Sequence, residues 1–223
     1  MALLLPALSQ AKEKSRRSVC NQNMRQVIVA LTLYGNDDAY NRLPPATDNK
    51  GDYHAIRLSS FTFTNLVDNL EGESNSLYCP NLIYSTGTMG GYDPAIGFTI
   101  GYNYLAAEAE SAGAKGPNLP WIGPMKASDT KMVIADANYW VTSSSDTMTL
   151  APHTVCGPLV AKATVAVSAS ATASTSPAPG SSSAAMGGVG GNVGTLPGSV
   201  SWRSIRSMSQ YPASQDGTAL GSW

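Results

Sequence analysis

The chain has 223 residues, a formal net charge of −1 and only 13% charged residues. That length suffices for one domain with a buried core, and the near-neutral balance excludes a basic field for nucleic acid or an acidic tail. Low charge together with 21 Gly and 10 Tyr suits an extracellular or assembled protein better than a cytosolic enzyme.

Residues 1–38 read as one helix. Met1–Leu8 (MALLLPAL) is almost wholly apolar and Lys12–Arg17 (KEKSRR) is dense in charge. Cys20, Met24, Val27, Leu31 and Tyr34 then recur at spacings of four and three, the period of a helix burying one stripe. Gly35-Asn36-Asp37-Asp38 supplies the stop, and Pro44-Pro45 forbids resumption. Spanning a membrane takes about 20 consecutive apolar residues, so Met1–Leu8 is too short alone. Its charges follow the apolar run instead of preceding it, which is wrong for a signal peptide. The expectation is the end of a longer apolar helix.

Residues 39–60 are a polar loop. Phe61–Leu70 fits a short helix through Phe63, Leu66, Val67 and Leu70, and Gly97–Tyr104 alternates as a strand does. Residues 106–128 form a Pro-rich loop around Trp121. Lys131–Ala135 (KMVIA) is the best buried strand, and Ser199–Trp202 is expected to be the last one. The Ser/Ala/Thr-rich run 161–186 reads as a flexible or O-glycosylated linker. Its alternative is a period-2 strand over Thr164–Thr175 whose small side chains permit close contact. Gly187–Gly194 reads as a turn before a β-hairpin. The expected class is α+β, a long N-terminal helix on a small antiparallel sheet with decorated loops. Its parts are the helix (1–38), a globular region (39–160), the low-complexity insertion (161–186) and a C-terminal hairpin with tail (187–223).

Candidate chemistry is sparse. His54 and His153 are the two histidines, and no GxSxG is present. His153 and Cys156 sit too close in sequence for more than turn neighbours, so cysteine-nucleophile catalysis is not expected. Their spacing occurs among metal ligands and Cys79 is available to join them, yet no second cluster completes a four-ligand zinc site. Asp37, Asp38 and Asp48 lack the EF-hand order, leaving an irregular calcium site or plain turn chemistry. The glycine run fails both GK[ST] and GxGxxG. Lys12, Lys14, Arg16 and Arg17 read as a solvated helix face, partly neutralised by Glu13, with anionic lipid or nucleic acid as the rival reading. No catalytic residue, cofactor or metal is expected. Among Cys20, Cys79 and Cys156, the preferred disulfide is Cys79–Cys156, since both lie in turn-rich surroundings; Cys20–Cys79 is the main rival. Cys20, on the stripe, reads as a small core residue.

Residues 1–45 closely resemble the start of type IV pilin-like and type II secretion pseudopilin-like proteins, in particular the group with a prepilin-type helix and a C-terminal His…Asp-Gly signature. The resemblance runs through Leu3-Leu4-Leu5-Pro6-Ala7-Leu8, Ala11–Arg17, Cys20-Asn21-Gln22-Asn23, Tyr34, Asn36, Asp37 and Pro44-Pro45. Tyr78-Cys79-Pro80, Gly101–Tyr104, Met132–Asp136 and Gly191–Trp202 resemble its later landmarks. Here Pro197-Gly198 stands where the group has Asp-Gly, and its upstream histidine is absent. The resemblance implies a filament subunit, held in the inner membrane by its helix, processed by a prepilin peptidase and polymerised with itself by the pilus or secretion machinery at the cell surface. It assigns assembly to Leu3, Leu4, Leu5, Pro6, Leu8, Cys20, Met24, Val27, Leu31 and Tyr34. The alternative is a minor pseudopilin or surface binding module that meets glycan or protein through Tyr84, Tyr92, Trp121, Tyr139 and Trp140.

Overall fold

A computed structural model of the chain describes residues 4–82, 91–106, 131–141, 146–155, 157–164 and 180–223. Helix α1 (Leu4–Asp37) takes 34 residues, about 51 Å at the α-helical rise. Its docked face carries Cys20, Met24, Val27, Ile28 and Leu31, none more than 2% exposed. Tyr34, assigned to that stripe by spacing, is half-buried. The stop works as the residues imply. Asp38 N donates to Tyr34 O at 3.0 Å, and Asp38 Oδ2 accepts the backbone N–H groups of Tyr40 and Arg42.

The short helix expected over Phe61–Leu70 is α2 (Ser60–Asn69), opened by Ser59 Oγ accepting from Thr62 N at 3.2 Å. It buries Thr62 and Leu66 and stacks Phe63 on Phe98 with centroids 3.8 Å apart. Glu71 and Gly72, at φ 55° and 86°, turn the chain away.

The strands in chain order are β1 (Arg57–Leu58), β2 (Tyr92–Asp93), β3 (Gly97–Thr99), β4 (Tyr102–Tyr104), β5 (Met132–Asp136), β6 (Tyr139–Val141), β7 (Asp146–Ala151), β8 (Leu159–Thr164), β9 (Gly190–Thr195), β10 (Val200–Ser204), β11 (Gln210–Pro212) and β12 (Ala219–Ser222). They form antiparallel sheets ordered β1-β3-β2, β10-β9-β5-β4 and β11-β12-β6-β7-β8 among the described residues. The class is α+β, as expected. Helix α1 packs on β5, β9 and β10, so the four-stranded sheet carries the helix.

Several local expectations need correction. One small sheet becomes three. The Gly97–Tyr104 strand breaks at Ile100-Gly101, so that β3 and β4 enter different sheets. Ser199–Trp202 lies in a strand but not the last, since β11 and β12 follow. The glycine run is itself strand β9 from Gly190 onward. A Cβ at Gly194 would sit 2.8 Å from both Ile134 Cγ2 and Ile28 Cδ1, so glycine there lets the helix come down onto the sheet. The low-complexity run is structured at both ends. It enters as β8, paired with β7 from Asp146↔Thr164 to Ala151↔Leu159, and leaves through 180–186, where Ser183 and Met186 are buried. Most of Thr164–Thr175 and of loop 106–128 lies outside the described residues. Among the described residues no helix is long and apolar enough to cross a membrane.

Gly101 makes the tightest join between β4 and the segment leading to Cys79. A Cβ there would lie 2.5 Å from Cys79 N and 2.9 Å from Tyr78 Cα. Both are backbone atoms, so no side chain can swing aside. Gly101→Ala is expected to destabilise by about 1–3 kcal/mol through overpacking, read as a lower urea midpoint at unchanged m-value.

Candidate functional site

The charged start of α1 does not simply face water. Glu13, Arg17 and Cys20 are spaced i, i+4, i+7, which stacks them on one helix face and continues the apolar stripe. Lys12 and Lys14 are exposed, as a solvated face requires, and Arg16 and Arg17 are half-buried, but Glu13 is only 3% exposed, so the carboxylate belongs to the interior. Its Oε1 accepts from Arg17 Nε at 3.0 Å and from His153 Nδ1 at 2.6 Å, and its Oε2 accepts from Asn81 Nδ2 at 2.8 Å. Arg16 Nη1 donates to Asn81 Oδ1 at 3.0 Å. The Arg17 guanidinium lies 4.3 Å over the Trp202 ring, and Trp202 meets His153 edge-on.

One helical step deeper lie the two sulfurs. Cys20 Sγ is 2.9 Å from Cys79 Sγ, and both cysteines are free and wholly buried. Cys79 Sγ lies 4.0 Å from His153 Nε2. That same nitrogen is 3.2 Å from Asp136 Oδ2. Asp136, the last residue of β5, also takes the Asn192 backbone N–H at 2.6 Å and Asn192 Nδ2 at 3.0 Å on Oδ2. A Cβ at Gly191 would come 2.9 Å from Asp136 Cβ, so glycine in β9 makes room for the carboxylate. Asp136 Oδ1 is buried with no hydrogen-bond partner among the described residues.

Charges interlock here. Burial disfavours the imidazolium, but Asp136, Cys79 and Glu13 outweigh it and push His153 up to about 12. Burial likewise works against the Glu13 carboxylate, yet its bonds to His153, Asn81 and Arg17 hold its pKa below the usual range. Burial and the neighbouring Cys79 push the Cys20 thiol up. Cys79 meets the same burial but moves down, because Cys20 and His153 bond to its thiolate. The cluster is closed: Cys20, Cys79 and His153 are 0% exposed and Asp136 1%. Cys79 and His153 are the residue types of a nucleophile and its base, and the Cys79 sulfur is wholly buried. The donor atoms of Cys20, Cys79, Asp136 and His153 all lie within 4.8 Å of one another, the spacing of groups that hold an ion.

Of the residues singled out from sequence, Cys20, Met24, Val27 and Leu31 fall on the docked face and Leu8 is exposed. Leu3 and the side chains of Leu4, Leu5 and Pro6 lie outside the described residues. So does Cys156, which leaves the Cys79–Cys156 pair unplaced. The group beside Cys79 is Cys20. Asp38 and Asp48 act as turn caps, Asp48 Oδ1 accepting from Lys50 N and Asp52 N. Tyr139 and Trp140 are 1% and 3% exposed in β6, which removes them from any binding loop. Tyr92 is exposed, and Tyr84 and Trp121 lie outside the described residues. Glu13, Asn81, Asp136 and Asn192 are additions from the structure.

The family model that matches, over residues 9–74, is described as a protein of unknown function (DUF1559). The family occurs among type II secretion pseudopilin-like proteins, and the match points to a pilin-like family without singling out a member. The matched stretch holds the docked part of α1, Cys20 and α2. No curated protein matches the chain. No solved structure matches it either.

Proposed function

We propose that the chain is a structural subunit of an extracellular pilus-like or pseudopilus filament, assembled through α1. The observation that carries this reading is the division of the helix. From Cys20 to Leu31 it is welded to the sheet, whereas Ala7, Leu8, Gln10, Ala11 and Lys12 are all exposed. An apolar helical end outside its own domain costs about 25 cal/mol per Å² left wet, and neighbouring helices or lipid remove that cost. Val19, Val29 and Leu33 add exposed apolar side chains along the outer face. Copies of the same helix are the natural occupants. The match to a pilin-like family over residues 9–74 supports the same role.

On this reading the work is structural, not enzymatic. The subunit rests in the inner membrane through its apolar helix, meets prepilin peptidase and the assembly machinery, and ends in a type IV pilus-like or type II secretion-like homopolymer at the cell surface. Electron microscopy of cell-surface material is expected to show filaments that label with antibody to this chain. Deleting Met1–Leu8 is expected to abolish them and leave the unfolding transition of the domain within about 0.5 kcal/mol. Filaments that persist without those residues would show that the helix is not their core.

A further inference from the structure

The geometry points to a buried structural zinc site, formed by Cys20 Sγ, Cys79 Sγ, His153 Nε2 and one Asp136 carboxylate oxygen, which clamps α1 to the sheet. Filament assembly is not needed for it.

The four donors come from α1, the segment after α2, the end of β5 and the residues after β7, and meet where water does not reach. Two thiolates, an imidazole and a carboxylate are ligand types that zinc takes in closed four-coordinate sites. In a tetrahedral site with zinc bonds of about 2.0–2.3 Å, nitrogen and oxygen stand about 3.3 Å apart, sulfur and nitrogen about 3.6 Å, and two sulfurs about 3.8 Å. The corresponding distances here are 3.2 Å from His153 Nε2 to Asp136 Oδ2, 4.0 Å from Cys79 Sγ to His153 Nε2 and 2.9 Å between the sulfurs, and all four donors lie within 4.8 Å of one another. Of these three pairs, the sulfurs must open by about 0.9 Å and Cys79 must close on His153 by about 0.4 Å.

The groups behind the donors are those of a metal site. Glu13 accepts from His153 Nδ1 and so aims Nε2 at the cluster, the carboxylate–histidine relay that orients zinc ligands. Asn81 fixes the other Glu13 oxygen. Asn192 grips Asp136 through Oδ2 alone, and Oδ1 has no partner among the described residues. A Cys20–Cys79 disulfide would use only the sulfurs and explain neither the orphaned oxygen nor the aimed imidazole. On binding, zinc replaces the two thiol protons and the Nε2 proton, and its double charge offsets anionic groups that burial otherwise penalises.

The test uses the full chain purified without chelator or added thiol. Metal analysis is expected to find one zinc per chain, and cobalt(II) in its place to give four-coordinate ligand-field bands with a thiolate-to-metal charge-transfer band. Alkylation in denaturant without reductant, mapped by peptide mass, is expected to modify both Cys20 and Cys79. His153→Ala and Asp136→Asn should each weaken zinc binding at least about 10-fold, and Glu13→Gln, a positioning change, about 10–100-fold with the cobalt bands kept. Any of three results overturns the site: a Cys20–Cys79 disulfide that resists alkylation, two free thiols with no bound metal, or bound metal that lacks the thiolate band. The first measurements need only the wild-type chain, so a variant that fails to fold leaves the answer intact.

Discussion

Glu13→Ala is expected to destabilise the fold by about 3–5 kcal/mol, the cost of removing one partner from a buried charged network, and to lower Tm by roughly 10 °C or more in a chain of this size. The carboxylate joins α1 to two distant segments at once: Asn81 after α2 and His153 after β7. Glu13 is 3% exposed, so alanine takes the acceptor from the His153 and Asn81 donors where water does not replace it, and unmade buried bonds cost more than made ones gain. Glu13→Gln keeps the shape and one acceptor, so its loss should be smaller, about 1–3 kcal/mol. Arg17→Ala separates burial from charge. Arg17 is paired with Glu13 but its side chain is 26% exposed, and its place over Trp202 adds a modest cation–π term, so about 1 kcal/mol is expected. Urea midpoints for the three variants check the order. Equal losses for Glu13→Ala and Arg17→Ala would show that the network is a surface ion pair.

The main scaffold was legible because it rests on local periodicity. The Cys20–Met24–Val27–Leu31 stripe, the α2 pattern and the KMVIA strand each state within a dozen residues which side is buried. The sheets were not, because pairing is long-range. Nothing in AKAT says that it will lie against Asp146–Ala151 as β8, since small side chains read equally as linker or strand. The buried cluster was hardest, with its members at positions 13, 20, 79, 136 and 153. Only Glu13 and Cys20 share a local rule, two helical turns apart, and that rule was available: extending the stripe upward by seven from Cys20 lands on Glu13, not on a solvated residue. Asp136 had a weaker signal, an acid ending the most apolar strand of the chain. Tyr139 and Trp140 misled for the opposite reason. Aromatics beside turn formers suit a binding loop, but they lie in β6, which is paired with β12 on one side and β7 on the other, and both are buried.

A second buried histidine should make the fold acid-sensitive well above the carboxylate range. His54 is 7% exposed. Its Nε2 lies 3.1 Å from Tyr139 Oη, and its Nδ1 has no partner among the described residues. Burial first, then the Arg57 charge, press its pKa down to about 3, against a smaller upward pull from Asp216. In the unfolded chain the ring takes a proton below about 6.5, whereas in the fold it stays neutral down to about 3. Between those values the unfolded state binds the extra proton, so stability falls as pH falls, by about 1.4 kcal/mol per pH unit and about 5 kcal/mol across the window. Above pH 6.5 this group contributes no slope. Glu13 and Asp216, both shifted downward, add their acid losses only below their unfolded values, so pH 6 to pH 5 isolates the histidine. His54→Gln retains a polar neighbour for Tyr139 and removes the titration. Wild type is expected to lose about 1.2 kcal/mol more than the variant between pH 6 and pH 5 in urea unfolding. Parallel slopes would mean that the native ring protonates as readily as the unfolded one, through an opening of the His54–Tyr139 contact that the packed geometry does not contain.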